Sequence, residues 1–333
     1  MSTIREISRD TRISVVLPAF NESAILSDLY RIVIDILEKL NVTYEMIFIN
    51  DGSTDNSGEI LDEIAKKDPN VIVIHLSRNF GHQPALQAGL EYATGNAVIV
   101  MDADMQDNPE TIPQFLKEWQ KGYDIVYAVR VNRKENILKR FFFNAFYRLL
   151  KFISDTKIPL NAGNFGLIDR KVCKQIISFH EHDRYYPGLR SWVGFKQKGI
   201  EIDRGARYDD ATRVGLIGLF KLAKAAIISF SSFPLTIFLF FGIIALIMFL
   251  GLSILTLYHK FFLGIASPGW ASFLITVSFF GAINALGIGI LGEYVIRIYS
   301  EVRQRPLFLV ERCSNDPKER TKSKTCPENN MTK

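Results

Sequence analysis

Cysteine is scarce in this 333-residue chain, which has three, Cys173, Cys313 and Cys326, far apart and without a Cys-x-x-Cys pair. An odd, scattered set argues against a disulfide framework and a thiolate zinc site, and fits a reducing compartment. Net charge is small as well. At +5 it does not point to nucleic acid, and no such partner is expected. The glycines form neither Gly-x-Gly-x-x-Gly after the first expected strand nor Gly-x-x-x-x-Gly-Lys-Ser/Thr, so dinucleotide oxidoreductase and P-loop readings lose support. No repeat of solenoid or propeller period is present. Met1-Ser-Thr-Ile-Arg-Glu6 has no apolar run, so no signal peptide is expected there.

The most informative absence is local. No residue between Lys224 and Lys260 carries a formal charge, and none does between Lys260 and Glu293. Each stretch exceeds the roughly 20 residues that cross a bilayer and outruns ordinary buried helices. Two transmembrane helices are therefore expected, at 232–257 and 270–292, forming a hairpin around a loop at 258–269. The loop carries one lysine while both flanks are rich in Lys and Arg, which places both termini in the cytoplasm. The expected product is an integral, multi-pass protein. Residues 214–231, with Lys221 and Lys224 among Leu, Ile and Phe, suit an interfacial amphipathic helix. Residues 293–333 form a cytoplasmic tail, expected to be disordered from Cys313 onward. Gly281, Gly287, Gly289 and Gly292 permit close helix contacts, within the hairpin or in a homo-oligomer.

Residues 1–213 read as an α/β domain. Ile13-Ser-Val-Val-Leu17, Glu45 to Asn50, Val71 to Leu76 and Ala97 to Met101 are apolar runs of strand length. Leu26, Leu29, Ile32, Val33, Ile36 and Leu37 fall at helical spacing, with Ser23 placed to cap that helix. Another helix is expected to run to about Thr94. Strand and helix alternate, which predicts βαβ units and a mainly parallel sheet with flanking helices. In such a sheet the loops after successive strands converge on one edge, where ligands bind.

That edge collects Asn21, Glu22, Asp51, Arg78, Asp102 and Asp104. Asp102, Asp104 and Gln106 put two acids and an amide at alternate positions after an apolar strand. They offer hard oxygen ligands to Mg²⁺ or Mn²⁺, which can neutralise a diphosphate; the alternative is a solvated turn. Glu22 and Asp51 are placed to accept from a base NH or a ribose hydroxyl, or to act as cap and turn residues. Arg78 either reaches a phosphate or covers the sheet edge.

Val16-Leu-Pro-Ala-Phe-Asn-Glu22, Asn50-Asp-Gly-Ser-Thr-Asp55, Ser77-Arg-Asn-Phe-Gly81 and Asp102-Ala-Asp-Met-Gln-Asp107 stand in the order of a known motif set. Over about residues 12–215 the chain resembles family 2 glycosyltransferases with the GT-A fold. Within them it is similar to the polyprenyl-phosphate group, that of dolichol-phosphate mannose synthase and bactoprenol glucosyltransferase, and the paired spans extend the likeness to the bactoprenol branch. The resemblance implies that Pro18, Ala19, Glu22 and Asp51 contact the nucleoside. It also implies that Asp102, Asp104 and Gln106 hold a divalent metal on the diphosphate of a nucleotide-sugar. Its expected reaction moves a hexose, preferably glucose from UDP-glucose, to undecaprenyl or another polyprenyl phosphate. GDP-mannose and modified UDP-pentoses stay open as donors. A non-catalytic nucleotide-binding scaffold is the rival of another class, and the retained Asp102, Asp104, Arg130 and Arg140 argue against it.

On the acceptor side, Arg130, Arg133, Lys134, Lys139, Arg140, Arg148 and Lys151 face one nearby acid, Glu135. Arg140, Asn144 and Arg148 share a helical face beside Phe141, Phe142, Phe143 and Phe146, a mixture suited to lipid headgroups and acyl chains, or else a solvated basic helix. By resemblance, Arg130 and Arg140 hold the lipid phosphate, with Asn144 nearby. Arg207-Tyr-Asp-Asp-Ala-Thr-Arg213 resembles the family's juxtamembrane stretch. It puts Arg207 and Arg213 near the diphosphate or the lipid phosphate, or at the bilayer interface. A phosphomonoester is already anionic at neutral pH, so no dedicated general base is required, and a single displacement inverts the anomeric centre. Processive polysaccharide synthases usually add Gln-x-x-Arg-Trp and an acidic base. Pro187-Gly-Leu-Arg190-Ser-Trp192 and Asn161-Ala-Gly-Asn164-Phe165 lack both. Trp192 and Tyr186 either stack on a sugar or form a packed cluster.

Overall fold

The computed structural model describes residues 5–130, 162–179, 181–182, 184–202, 233–262 and 269–315. They fall into two compact units, one built from residues up to 202 and from 306 onward, the other from 233–262 and 269–305.

The first unit is a mixed, mostly parallel sheet flanked by helices. Its strands are β1 (Arg12–Ala19), β2 (Thr43–Asn50), β3 (Val71–Leu76), β4 (Ala97–Val100), β5 (Ile125–Arg130), β6 (Ala162–Asp169), β7 (Gln197–Ile202) and β8 (Val310–Ser314). They lie in the order β7-β5-β6-β4-β1-β2-β3-β8. Strand β1 pairs in parallel with β2 and β4, β2 with β3, and β5 with β7. Strand β6 runs antiparallel to β4 and β5, and β8 antiparallel to β3.

Helices α1 (Leu26–Lys39), α2 (Ser57–Lys67) and α4 (Ile112–Gln120) cover one face, burying Leu29, Val33, Leu61 and Phe115 against Val15, Leu17, Met46 and Phe48. On the other face, α3 (His82–Tyr92), α5 (Arg170–Ile177) and α6 (Tyr186–Trp192) bury Leu86, Val172, Ile176 and Tyr186 against Val16, Ile47, Ile49 and Val98. Strands covered on both faces are apolar at nearly every position, the pattern read in the sequence. Helix α3 rides close to the sheet. A Cβ on Gly89 would lie 2.3 Å from Val16 Cγ1, so glycine there sets the depth at which α3 packs.

Among the described residues, one acid, Glu45 on β2, is wholly buried. Glu45 accepts from Ser14 Oγ at 2.5 Å and from Thr94 N at 2.6 Å, and pairs with Arg12 Nη2 at 2.8 Å. Both of its oxygens also accept from Thr94 Oγ1.

Two local expectations are corrected. Ser23 does not cap α1, whose N-cap is Ile25 without a side-chain bond; Ser23 N donates instead to Asp55 Oδ2 at 3.2 Å. Disorder expected from Cys313 gives way to strand through Ser314. Arg312 Nη2 reaches Asp62 Oδ2 at 2.7 Å, Ser314 Oγ reaches Asp62 Oδ1 at 3.0 Å, and the Asn315 amide donates to Ala65 O and Val71 O at 2.7 and 2.8 Å. An open β3 edge offers unpaired backbone groups, and this polar segment satisfies them. The remainder of the expected disordered tail, 316–333, lies outside the described residues.

The second unit holds two long helices, α7 (Phe233–Phe262) and α8 (Trp270–Val302). They meet at Gly287, where a Cβ would lie 1.9 Å from the Phe238 ring. Phe240, Ile247 and Ile254 on α7, and Leu286, Ile288 and Ile296 on α8, are exposed. Among the described residues one stretch, Phe279–Val302, is long and apolar enough to cross a membrane. It lies further along the chain than the 270–292 expected from charge alone.

Candidate active site

Parallel pairing sets β1, β2 and β4 so that their carboxyl ends share one edge, with Ala19 beside Asn50 and Val16 beside Val100. The loops leaving those ends are laced together. Asn21, at φ 55°, receives Thr54 N on Oδ1 at 2.8 Å and donates its own N–H to Ser53 Oγ at 3.0 Å. Asp51 N donates to Ala19 O at 3.0 Å, and the Asp51 carboxylate accepts from Phe80 N and Gly81 N at 2.8 and 2.9 Å. Gly52, at φ 65°, passes so near the third loop that a Cβ would meet Arg78 C and Asn79 N at 2.5 Å. Only glycine combines that dihedral with that approach.

A cleft of about 260 Å³ opens at this edge. Pro18, Ala19, Glu22 and Asp51 line it from the expected nucleoside set, and Asp102 and Asp104 from the expected metal set. Asp51 is 3% exposed, and burial raises its pKa against the lowering effect of the two backbone N–H groups and of His82. Its carboxylate thus clamps the third loop as well as facing the cleft.

Three expected residues are not among the lining. The Asn21 amide knits the loops together, and the Arg78 guanidinium stacks 4.5 Å from the Phe80 ring. Gln106 is buried, and its backbone N–H donates to Asp104 Oδ1 at 3.1 Å. Alternation along a strand would align Asp102, Asp104 and Gln106. Strand β4 ends at Val100, however, and Met105 turns through φ 57° before Gln106.

The sequence reading assigned no role to His82, the first residue of α3. Its Nε2 lies 2.8 Å from Asp102 Oδ1. Burial disfavours the imidazolium, but the hydrogen bond and charge of Asp102, with the charges of Asp51 and Asp104, raise the His82 pKa above its ordinary value. The available signal was positional: a titratable side chain opening a helix directly after the third strand's loop.

Among the described residues, no three His, Cys, Asp or Glu side chains converge as a metal cage. Two carboxylates facing an open cleft nevertheless suit Mg²⁺ or Mn²⁺, which commonly take one or two acids plus substrate phosphates. Asp102 and Asp104 supply that donor set. On the acceptor side Arg130 ends β5. Arg140, Asn144, Arg207 and Arg213, expected at the acceptor phosphate, lie outside the described residues, as does the interfacial helix expected at 214–231. Tyr186 is buried and Trp192 is 61% exposed, edge-on to Phe179 at 5.2 Å.

Comparison with known proteins bears on the same elements. The family model described as glycosyl transferase family 2 matches residues 14–177, which contain every cleft-lining residue named above. An uncharacterized glycosyltransferase of Bacillus subtilis, YkcC, is 40% identical over 312 residues, 92% of this chain and 95% of that protein. The prophage bactoprenol glucosyl transferase homolog of Escherichia coli is 38% identical over 302 residues, 90% of this chain and 99% of that one. The SfII prophage-derived bactoprenol glucosyl transferase of Shigella flexneri is 38% identical over 303 residues, covering 90% and 98%. With the four loop motifs gathered at one sheet edge and likeness running the length of these relatives, the chain belongs to glycosyltransferase family 2.

Proposed function

We propose that this enzyme transfers a hexose, glucose from UDP-glucose by preference, to undecaprenyl or another polyprenyl phosphate at the cytoplasmic face of a membrane. The observation that carries the reading is the pairing of an acid-lined cleft with relatives named bactoprenol glucosyl transferases, matched over nearly their whole length. Residues 1–213 serve as the cytoplasmic catalytic domain, 214–231 as an interfacial helix, and the two apolar segments of the hairpin as a multi-pass anchor. The exposed apolar faces of α7 and α8 support that anchoring.

Pro18, Ala19, Glu22 and Asp51 take the nucleoside, with the Asp51 clamp holding the second and third loops in register beneath it. Asp102 and Asp104 would hold Mg²⁺ or Mn²⁺, whose chemistry is to neutralise the departing diphosphate. His82 holds the Asp102 carboxylate by hydrogen bond, limiting its rotation. An acceptor phosphate oxygen forms a bond to the anomeric carbon as the carbon–oxygen bond to the diphosphate breaks, inverting that centre. The nucleophile arrives as an anion, so the protein's work is alignment and charge neutralisation rather than proton abstraction. Arg130 and Arg140, with Asn144, Arg207 and Arg213, are assigned to the phosphates.

Sugar transfer by the purified full chain, with undecaprenyl phosphate, Mg²⁺ or Mn²⁺ and a panel of UDP- and GDP-sugars, tests this reading. Product from UDP-glucose that disappears on chelation is expected. Product from GDP-mannose alone would keep the reaction and change the donor, whereas no product from any donor would overturn the assignment.

A further inference from the structure

Arg190, on α6, is 1% exposed, among the described residues the largest side chain buried to this degree. Its Nη1 donates to Gly163 O at 3.0 Å, and its guanidinium carbon lies 4.6 Å from the Tyr127 ring centroid. Among the described residues, its Nε and Nη2 have no hydrogen-bond partner, and neither has the buried hydroxyl of Tyr186. Nε and Nη2 share one edge of the guanidinium plane. That edge is the fork with which arginine grips two oxygens of a phosphate or carboxylate. A buried cation whose fork is empty is an unfavourable arrangement when packing is its whole purpose.

Its place in the fold is the active edge. Strand β6 runs antiparallel to β4 with Gly166 beside Val100. Gly163 therefore lies beyond the end of β4, on the side from which Asp102 emerges. Strand β6 also meets β5 with Ala162 beside Val129, which puts Gly163 near the end of β5 as well. A second tie is independent of the strands. Tyr186 N donates to Gln83 Oε1 at 2.8 Å, and Gln83 follows His82, which bonds Asp102. Helix α6 is thus fastened to the residues that hold the candidate metal ligands.

We propose that Arg190 is an oxyanion-binding residue, its unoccupied fork taking two oxygens of a phosphoryl group when substrate is bound. The proposal rests on the phosphate-bearing donor and acceptor of the preceding section. The phosphoryl group belongs either to the lipid monophosphate or to the donor diphosphate. Burial lowers the Arg190 pKa while the neighbouring tyrosines raise it, and an arginine guanidinium stays protonated in proteins.

Titration calorimetry on the full chain in detergent separates these sources, using farnesyl phosphate and UDP with Mn²⁺ as separate probes. Arg190→Met, which removes charge and fork, is expected to weaken one probe at least tenfold and leave the other unchanged. Arg190→Lys, which keeps charge without the fork, is expected to weaken the same probe by a smaller factor, and it carries the test should the methionine variant fail to fold. Loss on farnesyl phosphate assigns the arginine to the acceptor, and loss on UDP to the donor. In thermal unfolding without ligand, Arg190→Met is expected to match or exceed the parent, because an incompletely paired buried cation has gone. Unchanged affinity for both probes would overturn the proposal and make Arg190 a packing cation. A parent that binds UDP but no farnesyl phosphate would instead undo the lipid acceptor, leaving the UDP measurement to decide Arg190.

Discussion

Glu45 and Arg190 are both buried charges, one in the parallel half of the sheet and one where β5 and β6 pair antiparallel. Glu45 is surrounded by donors from β1, from the Thr94 turn and from Arg12, so its carboxylate is filled by the fold itself. Among the described residues, the Arg190 guanidinium gives one hydrogen bond to the protein and keeps two nitrogens in reserve. A satisfied buried charge is scaffold, and its removal is felt in stability. An under-satisfied one at an active edge is felt in binding. The Glu45 carboxylate is thus held by complete pairing, while the Arg190 guanidinium retains bonding capacity for a ligand.

The widest separation between scaffold and chemistry is expected at Asp104. Asp104→Ala should lower turnover by at least about a hundredfold, with membrane insertion and unfolding midpoint unchanged. Full activity would remove the metal assignment. Glu45→Ala should show the reverse profile: about 3 kcal/mol lost in denaturant unfolding, with nucleotide affinity kept in the molecules that remain folded. A loss below about 0.5 kcal/mol would break the contrast with Arg190. Gly52→Ala should cost about 1–3 kcal/mol, from strain at positive φ and collision with the Arg78–Asn79 backbone, and should weaken UDP binding because Asp51 moves with that loop.

The smallest effect concerns pH and β8. Asp62 lies below its ordinary value: burial raises it, but bonds from Arg312 and Ser314 and the charge of His75 outweigh that. His75 is also lowered, chiefly by burial, and its bonds to Asn50 and Asp62 suit a neutral ring. Both groups have folded pKa values below their unfolded ones. Their contribution to stability is therefore complete above the unfolded values and is lost as pH falls through the folded ones. Moving from pH 7 to pH 5 crosses the ordinary range of histidine while Asp62 stays ionised. Relative to intrinsic exchange, which itself slows as pH falls, the protection of Val310–Ser314 amides should drop over that interval and more so in Asp62→Asn. Equal protection at both pH values would show that His75 does not govern the strand.

The strands β1 to β4, the helices α1 and α3, the acids Asp51, Asp102 and Asp104 at the cleft and the long apolar segments were all legible in the sequence, because each is written in neighbouring residues. Continuous apolar runs of strand length, helical spacing and charge-free length are local properties. What the tertiary structure decided depends on partners distant in the chain. Met105's left-handed turn buries Gln106 away from the cleft that Asp102 and Asp104 share. The free edge of β3 recruits residues 310–314 out of a polar tail. His82 on α3 meets Asp102 beyond β4, and Arg190 on α6 reaches Gly163 on β6, contacts that only the packed fold brings about. Backbone pairing and burial of charge are satisfied across the fold rather than along the chain.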